Sequence, residues 1–437
     1  MNSHPAFRIV LLGGLGGFEI VAGITSIVGL DSTVYSVAMR STVASLGLAL
    51  VLLHAGRLMT KHRLLAVGFC CFWYIYSLRI AYSTTVDPAS LGFPAWYYWS
   101  WAIGACAVPM IALSLWNPLS QDAKINFMAL FITISLGGGL AAFGASSVEV
   151  NSNNELVDTG RLQLTSLNPI LLGQLGTSIL ILSVWAASNP FRDATLISRL
   201  AFSATALVGG GLLIGSNSRG PLVSAAMCLL FLVAFSSRRV RLYAITVTLL
   251  TILSFIPATK FLEENYGFTT YTRLFEQSQL TEENTLDRLD RFGGAFESFF
   301  SNPVTGGGLE EPVHGGYPHN IFAEAFMSTG MMGGFLLLSL MALTTLMAIR
   351  VFSLRPTYGW ASLLFIQNIV AAQFSGSIYT VNYLWLAAGM VIALHASLSL
   401  REGLGLPTRY NKQRAALSPR SAGVSHHPTS ASRVRQL

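Results

Sequence analysis

Apolar runs of about 18–22 residues recur along nearly the whole chain, and each is long enough to cross a bilayer core of about 30 Å. They fall at about 7–28, 37–56, 64–84, 94–115, 124–145, 168–187, 197–217, 220–237, 242–258, 327–349, 358–378 and 380–399. Lipid offers backbone N–H and C=O groups no partner, so such runs must satisfy their own hydrogen bonds as helices. The expected fold is therefore all-α, a polytopic membrane bundle of about twelve transmembrane helices over residues 1–403. Composition excludes the soluble alternative: the chain is 52% hydrophobic and 11% charged, against about 25% charged residues in soluble domains.

The formal charge of +7 does not point to a polyanionic partner. With the N-terminus placed in the cytoplasm, most of the 27 Lys and Arg fall in the inner connections and the tail, which is the positive-inside asymmetry. Basicity thus reports topology, and no nucleic acid is expected. Cys70, Cys71, Cys106 and Cys228 all lie in apolar spans, so no disulfide framework is indicated. The first span lacks the basic leader and small-residue cleavage site of a signal peptide. The tail, residues 404–437, is rich in Ser, Pro and Arg and is expected to be a disordered, basic cytoplasmic segment lying along anionic membrane lipids. His426 and His427 there have no companion ligands.

Two outer loops are long, at about 146–167 and about 259–318, the second between the ninth and tenth spans. Ordered loops of such length are usually functional. Within the second, "LDRLDRFGGAFESFF" sets Leu286, Leu289, Phe292, Phe296, Phe299 and Phe300 on one helical face. The following "SNPVTGGGLEEPVHGGYP" reads as turns. The doublets Glu263-Glu264, Glu282-Glu283 and Glu310-Glu311 read as solvated acid.

Chemistry concentrates at a few polar positions. In "SNSRGPL", Pro221 suits the first helical position and Gly220 the cap, which puts Arg219 at an outward-facing helix N-terminus. Free N–H groups and a guanidinium there make an anion site; the competing reading is an interfacial arginine on lipid headgroups. In "YPHNIFAE", Pro318 can begin a helix, leaving His319 and Asn320 in its first turn. Positive potential at that end keeps imidazole neutral, so His319 is either a cap or a general base. Asn320 caps the helix or orients the ring, and Glu324 fixes the tautomer or complements the helix dipole. Arg288 and Arg291 share one side of the loop helix with Asp287 and Asp290, as phosphate ligands or as a salt-bridged surface. Arg40 and Arg79 lie within spans, where charge defaults to a functional reading, though packing accounts for them as well.

No nucleotide-binding loop, metal-ligand spacing or GxSxG turn is present, so neither metal nor other cofactor is expected. Arginines plus one histidine on the outer face suit a substrate that arrives activated as a lipid diphosphate. Arginines neutralise the departing diphosphate, and the histidine takes a proton from an incoming hydroxyl. Direct displacement at a sugar carbon inverts the anomeric centre.

At these residues the chain resembles the O-antigen ligase/polymerase superfamily, the membrane glycosyltransferases of WaaL and Wzy type. The resemblance rests on "SRG" at 218–220, Arg288 upstream of "SNPVTGGG", and "YPHNIFAEAFMSTG" with His319, Asn320, Glu324 and Gly330. It covers about residues 200–350. It implies transfer of a glycan from an undecaprenyl-diphosphate carrier at the periplasmic face of the bacterial inner membrane, onto a growing glycan or lipid A core. Carried over by position, Arg219 and Arg288 bind diphosphate and His319 acts at the acceptor hydroxyl. Arg291, Asn320, Glu324, Arg40 and Arg79 are further candidates for substrate binding. The aromatic after the loop arginine is Phe292 rather than tryptophan, and Arg291 leaves the choice of loop arginine open. O-antigen or exopolysaccharide polymerase and O-antigen ligase both fit, with other polysaccharide-assembly proteins as candidate partners. The alternative from another class is a transporter or flippase for lipid-linked oligosaccharide, which would want arginines lining a central path.

Overall fold

In a computed structural model of the chain, the residues described are 4–403 without 59, 61–62, 119–121, 151–155, 165–166, 189–190, 192–194, 267–271 and 273–282. The expected tail and part of the second long loop lie outside the described residues. A helix stands near every expected span: α1 (Pro5–Val28), α2 (Ser32–Arg57), α3 (Leu64–Thr85), α4 (95–114), α5 (Ala123–Gly144), α6 (Pro169–Ala187), α7 (Leu196–Gly215), α8 (Arg219–Phe235), α9 (Arg238–Tyr266), α11 (Ile321–Leu354), α12 (Gly359–Ala371) and α13 (Asn382–Gly403). An extra helix, α10 (Glu283–Ser301), occupies the second long loop where the apolar periodicity placed it. Among the described residues, eight helices are long and apolar enough to cross a membrane: α1, α2, α3, α5, α6, α7, α11 and α13. Of the other helices near expected spans, α8 has 17 residues and α12 has 13, and α4 opens on the aromatic run AWYYW.

Interhelical packing follows small residues, as it must where lipid is as apolar as the side chains. A Cβ on Gly176 would stand 2.7 Å from the Gly209 carbonyl oxygen, which sets how closely α6 and α7 approach. The "GGLGG" of α1 is π-helical, and a Cβ on Gly13 would meet Val43 and one on Gly16 Thr133, both at 2.8 Å. These close contacts are helix packing by small residues.

Three differences from expectation bear on the site. The first long loop contains an antiparallel hairpin, β1 (Ser146–Val150) with β2 (Leu156–Gln163), in an otherwise helical chain. On α10 only part of the apolar face is covered: Ala295, Phe296 and Phe299 pack on α11, while Leu286, Leu289, Phe292 and Phe300 stay exposed. The largest difference is α12. Its 13 residues span about 20 Å at 1.5 Å per residue, short of a bilayer core of about 30 Å. The chain then runs irregularly over 372–381 before α13 starts. Gly376, at φ 98°, turns it there.

A further irregularity ties the second loop to the bundle. Inside α11, Gly330 adopts φ 65° and ψ −162°, a region essentially reserved for glycine. The break frees the Met331 N–H to donate to the Pro303 carbonyl (2.8 Å), while Gly307 N–H donates to the Met327 carbonyl (2.8 Å). A Cβ at residue 330 would strike the Val304 carbonyl. Gly330→Ala should therefore destabilise the detergent-solubilised protein by at least about 1–3 kcal/mol from backbone strain alone. A thermal unfolding midpoint equal to wild type would contradict this docking.

Candidate active site

The candidate residues converge on the irregular segment 372–381. Asn320 is the N-cap of α11: its Oδ1 accepts from the N–H groups of Phe322 (3.0 Å) and Ala323 (3.1 Å). Its Nδ2 donates to Gln373 Oε1 (3.0 Å), and the Ile321 N–H donates to the Ala372 carbonyl (3.2 Å). One turn on, Glu324 is fully buried. Its Oε1 accepts from the Tyr76 hydroxyl (3.0 Å) and the Ser377 hydroxyl (2.6 Å), and its Oε2 from the Ile378 N–H (2.9 Å). Three donors on one buried carboxylate hold the segment against α11 and α3.

That segment is where the arginines meet. Arg288, on α10, donates from Nη1 to the Phe374 carbonyl (3.0 Å). On the other side, a Cβ at Gly220 would lie 3.5 Å from the Phe374 Cβ, so the α8 N-terminus that carries Arg219 abuts the same residue. The helix begins at Arg219 itself with Ser218 in the cap position, two residues earlier than the Gly-Pro pair implied. Arg291 is committed elsewhere: its Nε bridges both oxygens of Asp287 (3.0 Å each), one turn earlier, and its Nη1 donates to the Gly315 carbonyl. Of the two loop arginines, Arg288 is the one directed at the segment shared with Arg219.

His319 differs from expectation in two ways. It precedes the helix instead of lying in the first turn, in a left-handed conformation (φ 57°) between buried Pro318 and the N-cap. Its ring stands edge-on to Tyr317 at 4.7 Å. Neither Asn320 nor Glu324 orients it, because their polar atoms are taken as described; its Nδ1 is buried with no hydrogen-bond partner among the described residues. The imidazole pKa is lowered to about 4, chiefly by burial, then by the charges of Arg288 and Arg291, with Asp287 opposing. Desolvation and two cations, rather than the helix terminus, keep it neutral.

The remaining candidates lie outside this convergence. Arg79 sits beneath the glycine turn, 3.8 Å from where a Cβ would stand on Gly308, and 5.4 Å from the Tyr82 ring centroid. Arg40 is sandwiched between Phe18 (4.2 Å) and Trp101 (4.1 Å). The doublet Glu310-Glu311 is not solvated. Both residues are buried; Glu310 accepts from the N–H groups of Gly92 (3.0 Å) and Gly316 (3.1 Å) and from the Tyr98 hydroxyl. Glu311 holds the turn at Val313 and His314. These carboxylates fix the loop that delivers His319. Glu310, Tyr76, Gln373, Phe374 and Ser377 were missed in the sequence; the polar "QFSGS" after α12 was the one available signal for a turn.

A polytopic helical membrane protein with a cationic cluster and a neutral histidine at one end of the bundle defines a narrow class. Residues 204–338 match the family Wzy_C, described as O-Antigen ligase, which supports membership of the O-antigen ligase/polymerase superfamily. The matched region holds Arg219, Arg288, Arg291, His319, Asn320 and Glu324 but not Arg40, Arg79 or the segment 372–381. No curated protein matches the chain.

Proposed function

We propose that the protein is an inverting glycosyltransferase of the O-antigen ligase or polymerase type, acting at the periplasmic face of the inner membrane on glycan linked to undecaprenyl diphosphate. The observation that carries this reading is the meeting of Arg288 and the Arg219 helix N-terminus at Phe374, beside a histidine held neutral. Two cations, one of them at a helix N-terminus, match a diphosphate. In the reaction the acceptor hydroxyl oxygen forms a bond to the donor's anomeric carbon as the bond from that carbon to the diphosphate oxygen breaks. His319 takes the hydroxyl proton and later releases it to water. Arg219 and Arg288 bear the charge that develops on the leaving diphosphate. The family matched over 204–338 is described as O-Antigen ligase, which supports a lipid-linked glycan donor and a glycan or lipid A core acceptor.

The test is deletion followed by glycan analysis on gels. Loss of a polymerase leaves single repeat units on the acceptor; loss of a ligase strands long polymer on the carrier. Full complementation by Arg219→Ala, Arg288→Ala and His319→Ala would overturn the transferase reading, and a transporter should tolerate His319→Ala.

The two loop arginines should separate. Arg288→Ala is expected to lower transfer by about 10²–10³-fold, the scale for losing one donor to a developing oxyanion. Arg291→Ala should act mainly by loosening the 311–316 turn, with a smaller loss partly rescued by lysine. Equal losses in transfer assays would remove the distinction.

A further inference from the structure

Helix α10 meets the rest of the protein along one side. Arg288 and Arg291 donate to the Phe374 and Gly315 carbonyls, and a Cβ on Gly294 would strike the Glu311 carboxylate. Ala295 packs against Ala323 and Met327 of α11, and Phe299 against Phe326. At 3.6 residues per turn, Leu286, Leu289 and Phe300 fall within about 60° of one another on the opposite side. All three are exposed. Asp290 and Glu297, also exposed, border this stripe. The basic residues Arg288 and Arg291 are the ones turned to the protein.

The stripe continues beyond the helix. Phe300 is 72% exposed and Val304 74% exposed, and Val304 sits in the turn that docks on the Gly330 break. The bond from the Met331 N–H to the Pro303 carbonyl places that turn where Met331, Met332 and Phe335 begin an exposed apolar face of α11. The two apolar surfaces therefore join.

The sequence of α11 gives the depth of this junction. It is long and apolar enough to span, and no charged residue lies between Glu324 and Arg350. A hydrocarbon core of about 30 Å takes about 20 helical residues; counted back from Arg350, that length reaches Gly330. Phe300 and Val304 thus stand at the edge of the hydrocarbon, against the span itself. A water-facing stripe of this kind would instead invite association with another protein, but its continuity with α11 favours lipid.

We propose that α10 is an interfacial helix, seated with Leu286, Leu289, Phe300 and Val304 among the acyl chains of the adjoining membrane leaflet. Burial of apolar surface holds it there. Attraction to anionic lipid does not, because the exposed flank is acidic where charge-driven interfacial helices carry Lys and Arg. The seat fixes Arg288 near the level of lipid headgroups, where a membrane-borne diphosphate lies; that consequence alone rests on the transferase reading.

The test is reagent collision in the full-length protein, reconstituted in phosphatidylcholine vesicles. Cys70 and Cys71, the cysteines that are not buried, are replaced by alanine. Nitroxide labels are then attached singly through Leu289→Cys, Phe300→Cys, Val304→Cys, Asp290→Cys and Glu297→Cys. All five native side chains are exposed, so the fold should tolerate each change. Oxygen concentrates in hydrocarbon and a nickel chelate in water. At Leu289, Phe300 and Val304, relaxation by oxygen should exceed that by nickel severalfold; at Asp290 and Glu297 the order should reverse. Nickel dominance at all five positions overturns the seat. So does a stripe shielded from both reagents, which would mark a protein partner. Vesicles containing phosphatidylglycerol should give the same pattern, and a seat that forms only with the anionic lipid overturns its apolar basis. Collision rates need no turnover, so this seat and the transferase reading fail separately.

Discussion

His319→Ala should lower glycan transfer by about 10²–10⁴-fold, the range for removing a general base, while the protein stays folded. The ring contributes one edge contact to Tyr317 and no hydrogen bond at Nδ1, so little structure depends on it. Its left-handed backbone, φ 57°, is better tolerated by asparagine or glycine than by alanine. His319→Asn and His319→Gly therefore separate chemistry from strain: if the imidazole is the base, all three substitutions lose activity alike. The pH dependence carries a second signature. With the imidazole pKa lowered to about 4, the neutral form persists well below the ordinary histidine range. The acid limb of kcat/KM should fall near pH 4 rather than near 6.5. Arg291→Ala removes one of the charges that lower it, so the limb should move up. The sign for stability agrees: the unfolded histidine takes a proton as pH drops below about 6.5 and the folded one resists until about 4, so this residue's contribution is lost across that interval. A limb that stays near 6.5 in wild type would remove His319 as the titrating base.

Glu324→Leu is expected to be the most disruptive change at the site, destabilising by roughly 2–5 kcal/mol and abolishing transfer. The carboxylate satisfies the Tyr76 hydroxyl, the Ser377 hydroxyl and the Ile378 N–H; leucine orphans all three, at about 1–3 kcal/mol for each buried group left unpaired. The segment 372–381 would then lose its anchor, and with it the Phe374 carbonyl that receives Arg288. Glu324→Gln keeps the shape but offers one acceptor oxygen, so it should retain the fold with reduced transfer. Tyr76→Phe removes a single donor and should be mild. Thermal unfolding and gel-resolved glycan profiles on the three variants check this order; a stable, active Glu324→Leu would show that the carboxylate does not hold the segment.

Much of this was readable beforehand because the signals were local. Helix positions follow from apolar run length, and α10 from a periodic pattern of Leu and Phe. The cationic start of α8 and the histidine before α11 announce themselves by their neighbours. Asp287 and Arg291 stand four apart, the spacing that pairs side chains on a helix, so the diversion of Arg291 was also latent. What escaped is long-range or competes with a stronger local signal. Tyr76 reaches Glu324 across 248 positions, a pairing no local pattern encodes. The segment 372–381 is bracketed by strongly apolar sequence, so a hydropathy window runs through it and draws a full span where α12 stops at Ala371. Asn320 and Glu324 are candidates for contact with substrate; Asn320 caps α11 and bonds Gln373, while Glu324 holds Tyr76, Ser377 and the Ile378 N–H, partners that their identity alone could not reveal.

The shortness of α12 has a consequence for how this protein can be divided. The matched region ends at residue 338, yet the surface that receives its catalytic candidates comes from 372–381, and its anchoring hydroxyl from α3. A fragment cut to the matched boundaries would keep every signature residue in order along the chain and have nothing for them to converge on. On the proposed function, activity should require the chain through its last helical pair, and reporter fusions that truncate before residue 382 should be inert however well they insert.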